Sequence, residues 1–152
     1  MKSILDEKGK NEILKRIESV RPSGKGLWGK MNSNEMLCHC NDQIKLGLGE
    51  INCNTTQKFP LGKLFKYLIF MGMPTPKGKI ETFKSLKQGD GGTPPTNFAN
   101  DKNVLIKSIQ QFNAKYPDAT TINHPAFGDL TKKEWGKLIY MHLDHHLRQF
   151  GV

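Results

Sequence analysis

No stretch of this 152-residue sequence approaches the roughly 20 consecutive apolar residues that a membrane-spanning helix requires. The most apolar run, Leu61 to Met73, is interrupted by Lys63 and Lys66, so no membrane partner is expected. Cysteine is scarce as well: Cys38, Cys40 and Cys53 are an odd number without framework spacing, which excludes a disulfide-stapled scaffold. The N-terminus, MKSILDEKGKNEIL, is charged where a signal peptide needs an apolar core, and a reducing cytoplasm is the expected address.

Arginine is the third scarcity. The formal net charge is +9 and the pI near 9.5, which raises nucleic acid as a partner. Only Arg16, Arg21 and Arg148 among the 23 basic residues are arginines, however, and the lysines are scattered rather than gathered into an arm. Base readout and bidentate phosphate contacts favour Arg. A nucleic-acid partner is therefore not expected, and the basic surface suits a small anionic substrate instead.

What is present is ordinary globular material, 36% hydrophobic and 24% charged, at a length that fits one domain over 1–152. Helical spacing of Ile13, Leu14, Ile17 and Val20 predicts a first helix over Asp6–Val20, stopped by RPSGKG. Asn32 followed by Glu35 is a capping box, and the apolar period behind it predicts a second helix to about Leu48. A short third piece spans Leu61–Phe70, a fourth helix Asp101–Tyr116, and Thr131 with Glu134 caps a last helix running to Phe150. The Pro/Gly-rich segment between Pro74 and Asn100 reads either as a lid over a site or as a connector. With no repeat and no sustained strand-type alternation, the expected fold is all-α, an antiparallel four-helix bundle with a short extra helix.

The last helix carries the chemistry. Placed at about 100° per residue, Trp135, Leu138, Ile139, His142, His146 and Phe150 form one stripe, so both histidines face the core. Imidazoles four apart on a helix point the same way and can converge on one metal ion, but two ligands do not complete a zinc-type site. His39, on an inward stripe with Met36, Gln43 and Leu46, is the best third donor; a core histidine is its alternative reading.

Cys38 and Cys40 flank His39 but diverge from it by about 100° each, which makes buried structural thiols the better reading. Three further residues are candidates for catalytic work. His145 flanks the stripe and could carry protons, Glu35 stands one turn before His39 although the cap already employs it, and His124 in the NHPAFGDL loop could reach the mouth of the bundle. Asp144 and Arg148 point away from His142 and read as an inter-helix salt bridge.

A mid-helix histidine in WGKMNSNEMLCHC, a long gap and a terminal HLDHHLRQF together resemble the DinB/YfiT-like superfamily, and the ending HPAFGDLTKKEWGKLIYMHLDHHLRQFG looks like an uncharacterised branch of it. The resemblance covers nearly the whole chain. It implies a four-helix bundle, often dimeric, with His39, His142 and His146 holding a divalent metal such as zinc or nickel. Members are described as metal-dependent hydrolases or as transferases that use a low-molecular-weight thiol. Relatives commonly continue the motif as H-x-x-x-H-R-x-Q, whereas here Leu147 follows His146, with Arg148 and Gln149 next. The departure leaves the ligands intact. The expected activity is thus metal-dependent hydrolysis or thiol transfer on a small electrophile, with a non-catalytic metal-binding scaffold or sensor as the alternative.

Overall fold

The computed structural model describes residues 1–53, 62–71, 83–117 and 121–152, with side chains from Lys66 onward in the second of these segments. Helix α1 spans Glu7–Ser19, α2 Ser33–Gly47, α3 Gly62–Phe70, α4 Phe98–Lys115 and α5 Lys132–Gln149. The capping boxes foreseen for α2 and α5 are both formed: Asn32 accepts from the Glu35 amide and Thr131 from the Glu134 amide, while each glutamate reaches back to its cap residue. Helix α4 begins three residues before the expected Asp101 because Asn97 supplies its N-cap, accepting from the Asn100 amide at 2.9 Å.

Helices α1 and α2 each pack against both α4 and α5, around a core that includes Ile13, Ile17, Leu37, Ile44, Leu105, Phe112, Trp135, Ile139 and Leu143. No helix among the described residues is long and apolar enough to cross a membrane.

The all-α expectation needs one correction. The segment read as a loop before α5 is a β-hairpin, in which β1 (Thr121–His124) pairs antiparallel with β2 (Gly128–Thr131) from Thr121↔Thr131 to His124↔Gly128. Four-residue strands are too short for a period-2 pattern to stand out. What holds the hairpin is tertiary: Leu130 is fully buried, and the Trp135 indole N–H donates to the Ile122 carbonyl at 3.0 Å.

Of the segment between Pro74 and Asn100, residues 74–82 lie outside the described residues. The rest is fastened to α2. Leu86, in a single 3-10 turn over Lys84–Leu86, is buried, and the Asp42 carboxylate accepts from Gln88 Nε2, the Thr93 amide and Thr93 Oγ1 at 3.0, 2.8 and 2.6 Å. Asp144 pairs with Arg16 of α1 at 2.6 Å, the inter-helix bridge expected of it, and with Arg148 at 3.0 Å.

Gly47, at the end of α2, lies tightly against α5. A Cβ there would stand 2.9 Å from Trp135 Cε3 and 3.3 Å from Ile139 Cδ1. The indole is fixed by its hydrogen bond and cannot swing away. An ordinary helical Gly→Ala change stabilises by about 0.5–1 kcal/mol. Here Gly47→Ala is expected to reverse the sign and cost about 1–3 kcal/mol by overpacking, read as a lower midpoint in urea unfolding.

Candidate metal centre

His142 and His146 lie one turn apart on α5, with ring centroids 4.5 Å from each other, and each centroid is 4.8 Å from that of His39 on α2. His39 and His146 are buried and His142 is half-buried. One ligand nitrogen from each ring can be chosen so that all three lie within 4.8 Å of one another, and this is the group of potential metal ligands among the described residues. Neither Cys38 nor Cys40 belongs to it. Burial pushes the Cys38 thiol up to about 12 and the Cys40 thiol higher still, so both remain protonated packing residues.

Hydrogen bonds at the outer edges of the rings decide which nitrogens face inward. His39 Nδ1 stands 2.9 Å from the Leu86 carbonyl oxygen, which only accepts, so Nδ1 carries the proton and Nε2 keeps its lone pair. His146 Nδ1 lies 2.8 Å from Gln149 Oε1 and is held in the same way. His142 Nε2 is 3.0 Å from His39 Nε2, while its Nδ1 is buried without a hydrogen-bond partner.

Burial, with the neighbouring imidazoles adding to it, holds all three rings neutral: His39 is lowered, His142 is lowered well below the ordinary histidine value, and His146 falls to about 3. Neutral imidazole is the metal-binding form. At metal–nitrogen distances of about 2.0–2.1 Å, two ligands of one ion lie roughly 3.0–3.4 Å apart, which the 3.0 Å contact between His39 and His142 already meets. The inward lone pairs, the 3.0 Å approach of two ring nitrogens and the enforced neutrality therefore fit a divalent cation.

The other candidates are placed differently. Glu35 accepts from the Asn32 amide at 2.8 Å in the α2 capping box and is outside the histidine group. His145 lies beside it, with ring centroids 5.1 Å from His146 and 5.9 Å from Trp28. His124 is buried, contrary to the exposure usual for a loop histidine: it stacks on Phe127 at 4.5 Å, leans on Trp135 at 5.4 Å and accepts from the Ala126 amide through Nδ1 at 3.1 Å. Among the described residues, a cavity of about 150 Å³ opens near Cys53 and Asn123 and another of about 100 Å³ near Asn41 and Asp101; neither of these is lined by the three histidines.

Sequence reading did not assign the Leu86 carbonyl or Gln149 to the site. A backbone acceptor has no sequence signature, and Gln149, three residues beyond His146, is visible only as a match to the last letter of the terminal motif.

Fold and site together define a mostly helical protein with a buried three-histidine group able to bind a divalent metal. Residues 2–151 match the family model described as a protein of unknown function, DUF1569, and the chain belongs to that family. No curated protein and no solved structure matches it.

Burial lowers the His124 pKa to about 4, against about 6.5 in an unfolded chain. Its contribution to stability is complete above about pH 6.5 and is lost as the pH falls toward 4, because only the unfolded chain then takes up the proton. His124→Phe is expected to flatten the decline of unfolding free energy between pH 6.5 and 4 by on the order of 3 kcal/mol, measured by urea titrations at each pH.

Proposed function

We propose that the chain is a metalloenzyme in which His39, His142 and His146 hold one divalent ion, zinc or nickel being the best match to three imidazoles. The observation that carries this is the pair of outer hydrogen bonds, from His39 Nδ1–H to the Leu86 carbonyl and from His146 Nδ1–H to Gln149 Oε1, which turn two lone pairs inward in rings that burial keeps neutral. Such outer partners are what metal-ligating histidines generally have. The resemblance to the DinB/YfiT-like superfamily supports the same three ligands.

The bound ion would supply Lewis acidity, toward either a water or a small thiol, for attack on an electrophilic substrate. His39 and His146 serve as fixed, neutral donors. His145, next to the ligands but outside the group, is the side chain best placed to relay a proton, while Glu35 is occupied by its cap and His124 by its aromatic stack. Scattered lysines would raise the local concentration of an anionic substrate.

A second reading, a metal-holding scaffold or sensor without turnover, is favoured by one observation: neither cavity reaches the histidines, two of which are buried. Spectroscopy of the cobalt-loaded protein separates the two. Added azide or a small thiol changes the visible bands if a coordination position is open, and leaves them unchanged in a closed scaffold.

Metal content is the primary test. Protein purified without an affinity tag, and reconstituted with zinc or nickel, is expected to carry about one equivalent by elemental mass spectrometry. His39→Ala, His142→Ala and His146→Ala should each lose it. Absence of metal from the reconstituted wild type overturns the proposal, and retention by His39→Ala requires a different third ligand.

A further inference from the structure

The glycine-rich segment that joins α1 to α2, S-G-K-G-L-W-G-K over Ser23–Lys30, reads as a helix breaker, yet its placement shows a more specific use. An antiparallel bridge between Lys25 and Asn32 closes it into a loop. The loop is laid against the end of α5: the Leu27 amide donates to the Gln149 carbonyl at 2.7 Å, and Gln149 Nε2 donates to the Trp28 carbonyl at 2.6 Å. Gln149 is 3% exposed, so this contact is made out of water.

Its two ends are not interchangeable. A carbonyl oxygen accepts and never donates, so the end of the Gln149 amide that faces Trp28 must be the NH₂ group. The oxygen is thereby forced toward His146, 2.8 Å from Nδ1, and an oxygen there requires Nδ1 to carry the ring proton. The His146 lone pair is then confined to Nε2. One backbone carbonyl in a loop thus sets, through one side chain, the tautomer of a histidine on another element.

Glycine makes the approach possible. A Cβ on Gly29, whose φ is +79°, would stand 2.5 Å from Gln149 Nε2; one on Gly26 would stand 2.8 Å from the Trp28 carbonyl and 3.2 Å from Gln149 Cγ. Either side chain would push the loop off the amide or turn the amide over.

We infer that the Gly26–Gly29 loop and Gln149 are a positioning relay for His146, in which the Trp28 carbonyl locks the imidazole as its Nδ1–H tautomer. Its consequence for metal affinity rests on the function proposed above, whereas the tautomer lock itself does not. Removing an outer partner of this kind generally lowers metal affinity by about 10–100-fold.

The test reads both quantities. Long-range ¹⁵N–¹H correlation spectra of the metal-free protein near neutral pH report which His146 nitrogen is protonated, and competition with a chromophoric chelator reports zinc affinity. Wild type is expected to show Nδ1 protonated. Gln149→Leu and Gly29→Ala are expected to give mixed or Nε2–H tautomers and zinc binding weaker by about 10–100-fold, with His39 still protonated on Nδ1. Gln149→Glu keeps an acceptor for His146 but loses the donor to Trp28, so it should restore the tautomer without restoring the loop contact. Near-ultraviolet circular dichroism identifies any variant that fails to fold, and the other variants then carry the test.

An unchanged His146 tautomer in folded Gln149→Leu and Gly29→Ala overturns the relay. If wild type binds no zinc while those variants still shift the tautomer, the relay stands and the metal reading fails.

Discussion

An imidazole has two polar nitrogens, and placing three imidazoles against one another out of water leaves six such atoms to be accounted for. Much of the architecture around α5 follows from that demand. His39 donates its Nδ1–H to the Leu86 carbonyl, and the residues just beyond Leu86 are bound to Asp42, three residues along α2 from His39, through Gln88 and Thr93. His146 donates its Nδ1–H to Gln149 Oε1. The two anchors come from opposite directions along the chain, one from the strap before α4 and one from the last turn of α5.

Helix α5 joins these parts. Its first turn is capped by Thr131 and drawn toward α3 by the Lys66–Glu134 pair at 2.8 Å, its middle packs Trp135 and Ile139 under α2, and Asp144 reaches Arg16 of α1. Trp135 is used twice, as a filler of the core and as the donor that pins the hairpin. The stripe that buries the histidines therefore coincides with the stripe that holds the fold together, and a change at one is felt at the other.

What could be read in the sequence was what depends on spacing along one element. The capping boxes at Asn32 and Thr131 are local in sequence and formed as expected, and His142 and His146 converge because residues four apart on a helix must. His39 needed more, since an inward stripe alone did not separate a ligand from a core histidine; the long-range packing of α2 on α5 brings its ring within 4.8 Å of those of His142 and His146. The hairpin escaped because its strands are four residues long and its stability lies in Trp135 and Leu130, outside any local pattern. The burial of His124 was hidden for the same reason: nothing local to NHPAFGDL shows that the hairpin folds this histidine against Phe127 and Trp135.

The charge balance of the chain, taken as a whole, opposes a cation at this site. A net +9 would repel a divalent ion if the field were uniform. Surface lysines are screened within about 8 Å at physiological ionic strength, however, whereas buried charges are screened much less. A buried charge that does act on the site is that of Asp42, fully buried on α2 and 4.0 Å from Lys45 at its nearest, and its field favours positive charge at His39. Asp42 thus works on the site twice, mechanically through the strap that carries Leu86 and electrostatically through the protein interior. A divalent cation entering this group would meet this local arrangement and the inward lone pairs, while the basic surface acts mainly on whatever approaches from solvent.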